Sequence, residues 1–292
     1  MTAVPPVHVP PGVPPGVHVV AHRGASTERA EHTSAAYMLA IEQGADGVEC
    51  DVRLSRDGHL VCVHDRRIDR TSNGTGVVST LSLARLKEFD YGHWHDDPPT
   101  SADDLVRRRV AAPSAEPPHR GLLTLDTLLA LLVDAGRPIR LFVETKHPTR
   151  YAGLVEAKLV AMLARYGLAR PPSREESPVV VMSFSSRAIR RVREHAPALP
   201  TVLLLARLSS TRRDGSLPPW ADITGPGVHL LRRDPDYVAR AAERGHATYC
   251  WTVDDPDDVA LCRRLGVRYV ATNAPAATRA ALTDRLSDTV AP

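Results

Sequence analysis

Aromatic residues make up only 4% of this 292-residue chain, so its core must be built mainly from Val, Leu, Ile and Ala. Cysteine is sparse as well. Cys50, Cys62, Cys250 and Cys262 show no CxxC spacing, which argues against a thiolate zinc site or a disulfide frame and for buried, reduced thiols. The first sixteen residues have no basic start and no apolar stretch, and prolines interrupt them throughout. Neither a signal peptide nor a membrane span is expected, and a cytoplasmic protein without stable membrane insertion is the default. There is no strong excess of either charge: the formal net charge is +3. The densest basic run, Arg107-Arg108-Arg109, reads as a solvated loop face, and no nucleic-acid partner is expected. No GxGxxG fingerprint follows the first strand pattern, which argues against a dinucleotide-binding unit. Internal repeats are absent, and nothing in the sequence signals an oligomeric state.

What is present is an alternation. Residues 1–16 read as a disordered Pro-rich arm. The β-branched run Val17 to Ala21 reads as a first strand ending at His22-Arg23-Gly24, and Thr33 opens a helical pattern that Gly44 stops. Gly47 to Leu54 reads as a second strand. Val48, Cys50, Val52 and Leu54 lie on one face, Glu49, Asp51 and Arg53 on the other. A short run, Leu60 to Val63, follows the Arg56-Asp57-Gly58 turn and ends at His64-Asp65. Residues 66–121 break the rhythm and read as a small inserted subdomain after the second strand, lying over the strand ends. From Leu122 onward, strands at 140–144, 179–183, 201–206, 227–231, 247–253 and 269–271 alternate with helical patterns. Omitting the Leu60 run gives eight strands. That count predicts a (β/α)₈ TIM barrel over residues 17–286, with a tail at 287–292.

Barrel enzymes place their chemistry at the C-terminal ends of the strands. Those ends offer His22 and Arg23, then Glu49 and Asp51, then His64, then Glu144 and Lys146, and later Trp251. Acidic side chains on the inner face of a barrel strand are costly unless paired or metal-bound. Three carboxylates without clustered thiols make an oxygen-ligand site, which favours Mg²⁺ or Ca²⁺ over zinc. Arg23 and Lys146 beside a dication suit a phosphate group, by planar fork and by point charge respectively. Two histidines can divide acid and base work near neutral pH. Together these point to metal-assisted phosphoryl transfer to water or a hydroxyl.

These residues carry a resemblance. His22-Arg23-Gly24, Glu31-His32-Thr33, Gly44 to Val52, Asp57-Gly58, Val63-His64-Asp65, Arg70-Thr71, Glu144-Thr145-Lys146, Ser183-Phe184, Trp251-Thr252-Val253 and Thr272 to Pro275 resemble the glycerophosphodiester phosphodiesterase family in order and spacing. The resemblance implies a TIM barrel and metal-dependent hydrolysis of a small-molecule glycerophosphodiester to glycerol 3-phosphate and an alcohol. It further implies Glu49, Asp51 and Glu144 as metal ligands for Mg²⁺ or Ca²⁺, and His22 and His64 as the acid/base pair. Arg23 and Lys146 would hold the phosphate, and Trp251 would line the glycerol pocket. The chain departs from the family's Pro-Glu-Asn-Thr at Ala30-Glu31-His32-Thr33, which loses the Asn of the first loop while Glu31 remains. Two alternatives remain open at this point: a lysophospholipase D-type phosphodiesterase and a non-catalytic phosphate-ligand binding protein.

Overall fold

The computed structural model describes residues 16–96 and 120–284. Apart from Gly16, the predicted arm 1–16 lies outside the described residues, as do residues 97–119 of the insertion and the tail 287–292.

Nine strands form one sheet: β1 (His18–His22), β2 (Gly47–Leu54), β3 (Leu60–Cys62), β4 (Arg140–Thr145), β5 (Val179–Ser183), β6 (Thr201–Leu205), β7 (Ile223–Pro226), β8 (Ala247–Cys250) and β9 (Tyr269–Thr272). Eight are parallel neighbours in the order β1-β9-β8-β7-β6-β5-β4-β2, and β1 also pairs with β2, which closes the barrel. β3 is the exception. It runs antiparallel to β2, with Arg53 opposite Val61, as a hairpin arm outside the ring. The predicted (β/α)₈ TIM barrel is the observed fold.

Inside and outside follow from the two-residue strand period. Val48, Cys50, Val52, Leu141 and Val143 pack outward against the helix side chains Tyr37, Leu125, Leu128 and Leu159. The barrel interior holds Val20, Phe142, Val180, Met182, Val202, Leu204, Tyr249 and Tyr269. Phe142, Tyr249 and Tyr269 form ring contacts with centroids 5.1 to 5.2 Å apart around Phe142. Few aromatics are therefore needed, because three of them fill the barrel's centre. All four cysteines are buried and free.

Helix starts match their sequence signals. The Thr33 hydroxyl accepts from the Ala36 N–H and caps helix Ser34–Glu42, and Thr124 caps helix Leu125–Val133 in the same way. Asp255 and Pro256 open helix Pro256–Leu265, which Gly266 ends in a left-handed conformation. One strand prediction fails. Residues 227–231 are not a strand: Val228–Arg233 is helical, and the seventh barrel strand is Ile223–Pro226. Its Ile-Thr pair is cut short by Gly225 and Pro226, too brief a β-branched signal to announce a strand. Neighbouring strands β6 and β8 pair with it nonetheless, a tertiary override of a weak local signal.

The described part of the insertion packs Ile68, Val78, Leu86 and Tyr91 against Val61, Val63 and Leu122, which flank it, in a small separate core. It sits on the β2–β3 hairpin, so it is anchored at the C-terminal end of the barrel.

Candidate active site

The inner face of β2 carries Glu49 and Asp51, and that of β4 carries Glu144, which stands in register with Asp51. Sequence positions 93 residues apart thus become lateral neighbours. One carboxylate oxygen from each of Glu49, Asp51 and Glu144 lies within 4.8 Å of the others, and all three residues are buried. Two ligands on opposite sides of a Ca²⁺ with bonds near 2.4 Å are separated by roughly 4.8 Å, and Mg²⁺ draws them somewhat closer. Burial and the neighbouring Asp51 push Glu49 well above the usual carboxylate range. Burial and Asp51 also push Glu144 up to about 8. Burial would raise Asp51 too, but Lys146, His32 and Arg23 hold it well below its ordinary value. The cluster is short of positive charge, and its all-oxygen donor set fits a hard dication.

Arg23 has a left-handed backbone, φ 61°, a conformation that costs energy for a non-glycine residue and tends to mark functional sites. It aims the Arg23 N–H at Glu49 Oε2, 3.1 Å away. Gly24 follows, and a Cβ there would meet the Ala36 side chain at 2.6 Å, so the tight approach of loop to helix requires glycine. Arg23 Nη1 donates to Glu31 Oε1 at 3.1 Å. Its Nε lies 3.2 Å from Asp51 Oδ2 but is out of line for a hydrogen bond, so that contact acts through charge. Lys146, just past the end of β4, places Nζ 2.9 Å from Glu144 Oε1 and 3.2 Å from Asp51 Oδ1. An ammonium has three donors; two are occupied by carboxylates and one remains.

Both histidines are oriented through Nδ1. His22 Nδ1 lies 2.8 Å from Asn273 Oδ1. The Asn273 amide cannot be turned round, because its Nδ2 donates to Asp254 Oδ2 at 2.7 Å and a carboxylate only accepts. His22 therefore carries its proton on Nδ1 and presents a bare Nε2. Burial and the Arg23 charge push its pKa down to about 4, so it stays neutral at physiological pH. His64 Nδ1 donates to Asp65 Oδ1 at 2.7 Å. Arg70 Nε in turn holds Asp65 Oδ2 at 2.6 Å, while its two terminal nitrogens clamp Glu31 at 2.8 and 2.7 Å. Glu31 thus links the Arg23 and His64 sides of the site. Arg53 fixes the backbone here, donating to the His64 carbonyl from Nε and Nη2 at 3.0 and 2.8 Å.

Trp251 stands at the end of β8 with Nε1 bonded to the Gly225 carbonyl at 2.7 Å. Its ring meets Phe184 edge-on at 5.3 Å. Phe184 is 43% exposed, one of the few large apolar side chains that reach solvent. The pair forms an apolar wall on the β5–β8 side of the mouth, and Lys146 Nζ lies 5.9 Å from the Phe184 ring.

All eight residues singled out in the sequence stand at this end of the barrel. Of the supporting partners, Glu31, Asp65, Arg70 and Asn273 stand in the motifs that carry the resemblance, without the contacts they make being readable there, and Asp254 has no signal along the chain. His32, where the family pattern has Asn, is the substitute support of the first loop. Its Nε2 lies 2.9 Å from Asp51 Oδ2 and its Nδ1 lies 2.8 Å from the Tyr37 hydroxyl, which donates to the Glu49 carbonyl. His147 bonds buried Glu156 at 2.5 Å, a structural pairing away from the carboxylates.

Residues 22–277 match the model of the glycerophosphoryl diester phosphodiesterase family. The chain is 50% identical over 266 residues to a probable glycerophosphodiester phosphodiesterase 1 of Mycobacterium tuberculosis, covering 91% of this chain and 92% of that protein. It is 32% identical over 266 residues to a glycerophosphodiester phosphodiesterase of Bacillus subtilis, covering 90% of this chain and 85% of that protein. Among solved structures, an Oleispira antarctica phosphodiesterase in complex with the product sn-glycerol-3-phosphate superimposes with a TM-score of 0.71 at 22% identity, covering 92% of this chain and 97% of that one.

Proposed function

The chain belongs to the glycerophosphoryl diester phosphodiesterase family, and from that premise we propose that its barrel mouth hydrolyses glycerophosphodiesters to glycerol 3-phosphate and an alcohol by the division of labour that follows. The observation that carries this reading is the buried Glu49, Asp51 and Glu144 cluster flanked by two histidines whose Nδ1 atoms are both tied down. Those three carboxylates would hold Mg²⁺ or Ca²⁺, which when bound supplies Lewis-acid charge to a phosphoryl oxygen.

The remaining roles belong to this chain's own side chains. Arg23 offers Nη2 and Lys146 its third N–H to the phosphate, both as charged hydrogen-bond donors. His22 sits on the β9 side next to Asn273, towards Trp251, and its bare Nε2 accepts a proton from the nucleophilic hydroxyl or water. His64 sits on the opposite side next to Arg53, and Asp65 stabilises the imidazolium that donates a proton to the leaving alkoxide. Trp251 and Phe184 shield the glycerol carbons.

The barrel over 17–286, insertion 66–121 included, is taken as the catalytic unit, with the arm and tail outside it. Among the described residues no helix is long and apolar enough to cross a membrane. Four reduced cysteines agree with a cytoplasmic setting.

The test is glycerol 3-phosphate release from a short glycerophosphodiester by metal-stripped protein, with Mg²⁺, Ca²⁺ or no metal restored. Turnover that requires metal and is lost in His22→Ala is the expected result. Metal-independent turnover, or folded protein that turns over no diester with either metal, would refute the reading.

A further inference from the structure

A cleft of about 460 Å³ opens beside the carboxylate cluster, between residues 77–80 of the insertion and the 146–151 loop after β4. It is not a loose gap. The Tyr151 hydroxyl, on one wall, faces the carbonyls of Arg56 and Ser79 on the other at 3.4 and 3.3 Å. Val78 and Tyr151 supply apolar surface, and Lys146 lies at its inner end, where Nζ reaches Asp51 and Glu144. The cleft is therefore continuous with the reacting centre.

Its charge is one-sided. Arg53, Arg66 and Arg150 line it together with Lys146, and among the described residues no carboxylate does. Several of the chain's other arginines are neutralised by acidic partners: Arg67 with Asp69, Arg165 with Asp126, Arg190 with Glu194, Arg244 with Asp214. Arg53, Arg66 and Arg150 have no such ion pair among the described residues. Arg66 and Arg150 at the rim, with Arg53 within, whose charge Asp51, Glu144 and Asp65 partly offset, create a local positive field that favours an anion. Arg53 spends Nε and Nη2 on the His64 carbonyl, which leaves Nη1 for a ligand and places the cleft on the His64 side.

A cationic head group would find the opposite of what it needs. Quaternary ammonium sites are aromatic cages, often with acidic neighbours. Among the described residues Tyr151 is the single aromatic one lining the cleft, and the Arg150 guanidinium carbon already lies 5.7 Å from its ring centroid.

We propose that this cleft is the head-group subsite and that it selects glycerophosphodiesters whose alcohol carries a second anionic group, of the class of phosphorylated polyols. The inference rests on the function proposed above for the adjoining site. The leaving alcohol lies in the cleft next to His64, its extra phosphate is met by Arg66 and Arg150 at the rim and Arg53 within, and the glycerol lies on the Trp251 side.

The test compares kcat/KM for glycerophosphoinositol 4-phosphate, glycerophosphoinositol and glycerophosphocholine. The first two differ by one phosphate. Wild-type protein is expected to favour the phosphorylated diester by roughly tenfold or more, a factor in the range of one or two charge-assisted hydrogen bonds. Arg66→Gln/Arg150→Gln alters two exposed side chains and is expected to collapse that ratio towards one, chiefly through KM, as added salt does for wild type. A wild-type preference for the choline diester, or a ratio unmoved by the double substitution, would overturn the proposal. Calorimetric binding of inositol 4-phosphate to both proteins reads the cleft independently of turnover. If wild type hydrolyses none of the three diesters yet binds inositol 4-phosphate and the double variant does not, the cleft assignment stands and the catalytic reading falls. Absence of binding to wild type would remove the subsite.

Discussion

Removing the acid and removing the base should leave different kinetic signatures, because His64 and His22 are held by different partners on opposite sides of the site. His64 donates to Asp65 at 2.7 Å, Asp65 is braced by Arg70 at 2.6 Å, and the cationic cleft lies next to it through Arg53. If His64 protonates the leaving oxygen, its value depends on how badly that oxygen needs a proton. General acid catalysis contributes roughly 10²–10⁴-fold. His64 is about one-third exposed, at 32%, so water can reach the space left by its removal, and a loss of about 10³-fold is expected for His64→Ala with a choline or inositol leaving group. That corresponds to ~4 kcal/mol of transition-state stabilisation. With p-nitrophenol as the leaving group, a stable anion that needs no proton, the loss should shrink to about tenfold or less. His22→Ala removes the proton acceptor and should slow both substrates alike, by a factor also within roughly 10²–10⁴. The assay is kcat/KM for glycerophosphocholine and for p-nitrophenyl glycerophosphate, at saturating metal, for wild type and both variants. Equal losses on the two substrates in His64→Ala, or rescue by p-nitrophenol in His22→Ala instead, would refute the assignment.

Glu31 should govern part of the acid limb of stability. Burial opposes its ionisation, but the hydrogen bonds from Arg70 and the charge of Arg23 bring its pKa down to about 2. A carboxylate depressed in the folded state stabilises above its unfolded pKa, and that contribution is lost as pH falls from about 4.5 through about 2. At ~1.4 kcal/mol per unit its full size is roughly 3 kcal/mol, so urea midpoints of wild type should fall more steeply between about pH 6 and about pH 3 than those of Glu31→Gln; parallel slopes would contradict the pairing. Thr33→Ala removes the hydroxyl that accepts from the Ala36 N–H at 3.3 Å and itself donates to the Ala30 carbonyl at 2.7 Å. It should cost about 1 kcal/mol, read as a lower urea midpoint with unchanged slope; a midpoint within error of wild type would count against a capping role.

Much of the site was legible because of where barrel strands end. Period-two alternation put Glu49 and Asp51 on the inner face of β2, and such acids inside a barrel demand a cation or a partner. The even spacing of Glu144 and Lys146 gave the same face for β4. Neither observation says that β2 and β4 are adjacent. That depends on β3 folding back as a hairpin arm instead of entering the ring, which lets Asp51 stand in register with Glu144. The misplaced seventh strand has a related cause. Ile223–Pro226 has only Ile and Thr to favour extension before Gly and Pro, and pairing with the flanking β6 and β8 makes it a strand, while Val228–Leu231 has the apolar run but becomes helix.

The sequence by itself determined the alternation of strands and helices, the helix caps, the reduced thiols and the types of group at the strand ends, because each of these rests on local periodicity or on side-chain chemistry. The tertiary structure alone decided which groups hold which. Asp254 fixes the Asn273 amide and so the tautomer of His22, Arg70 braces Asp65 and Glu31 together, His32 takes Asp51, and three arginines line one cleft where, among the described residues, no carboxylate does. These are contacts between side chains brought together only when the barrel closes, and hydrogen bonds and local fields depend on distances in space that no spacing along the chain encodes.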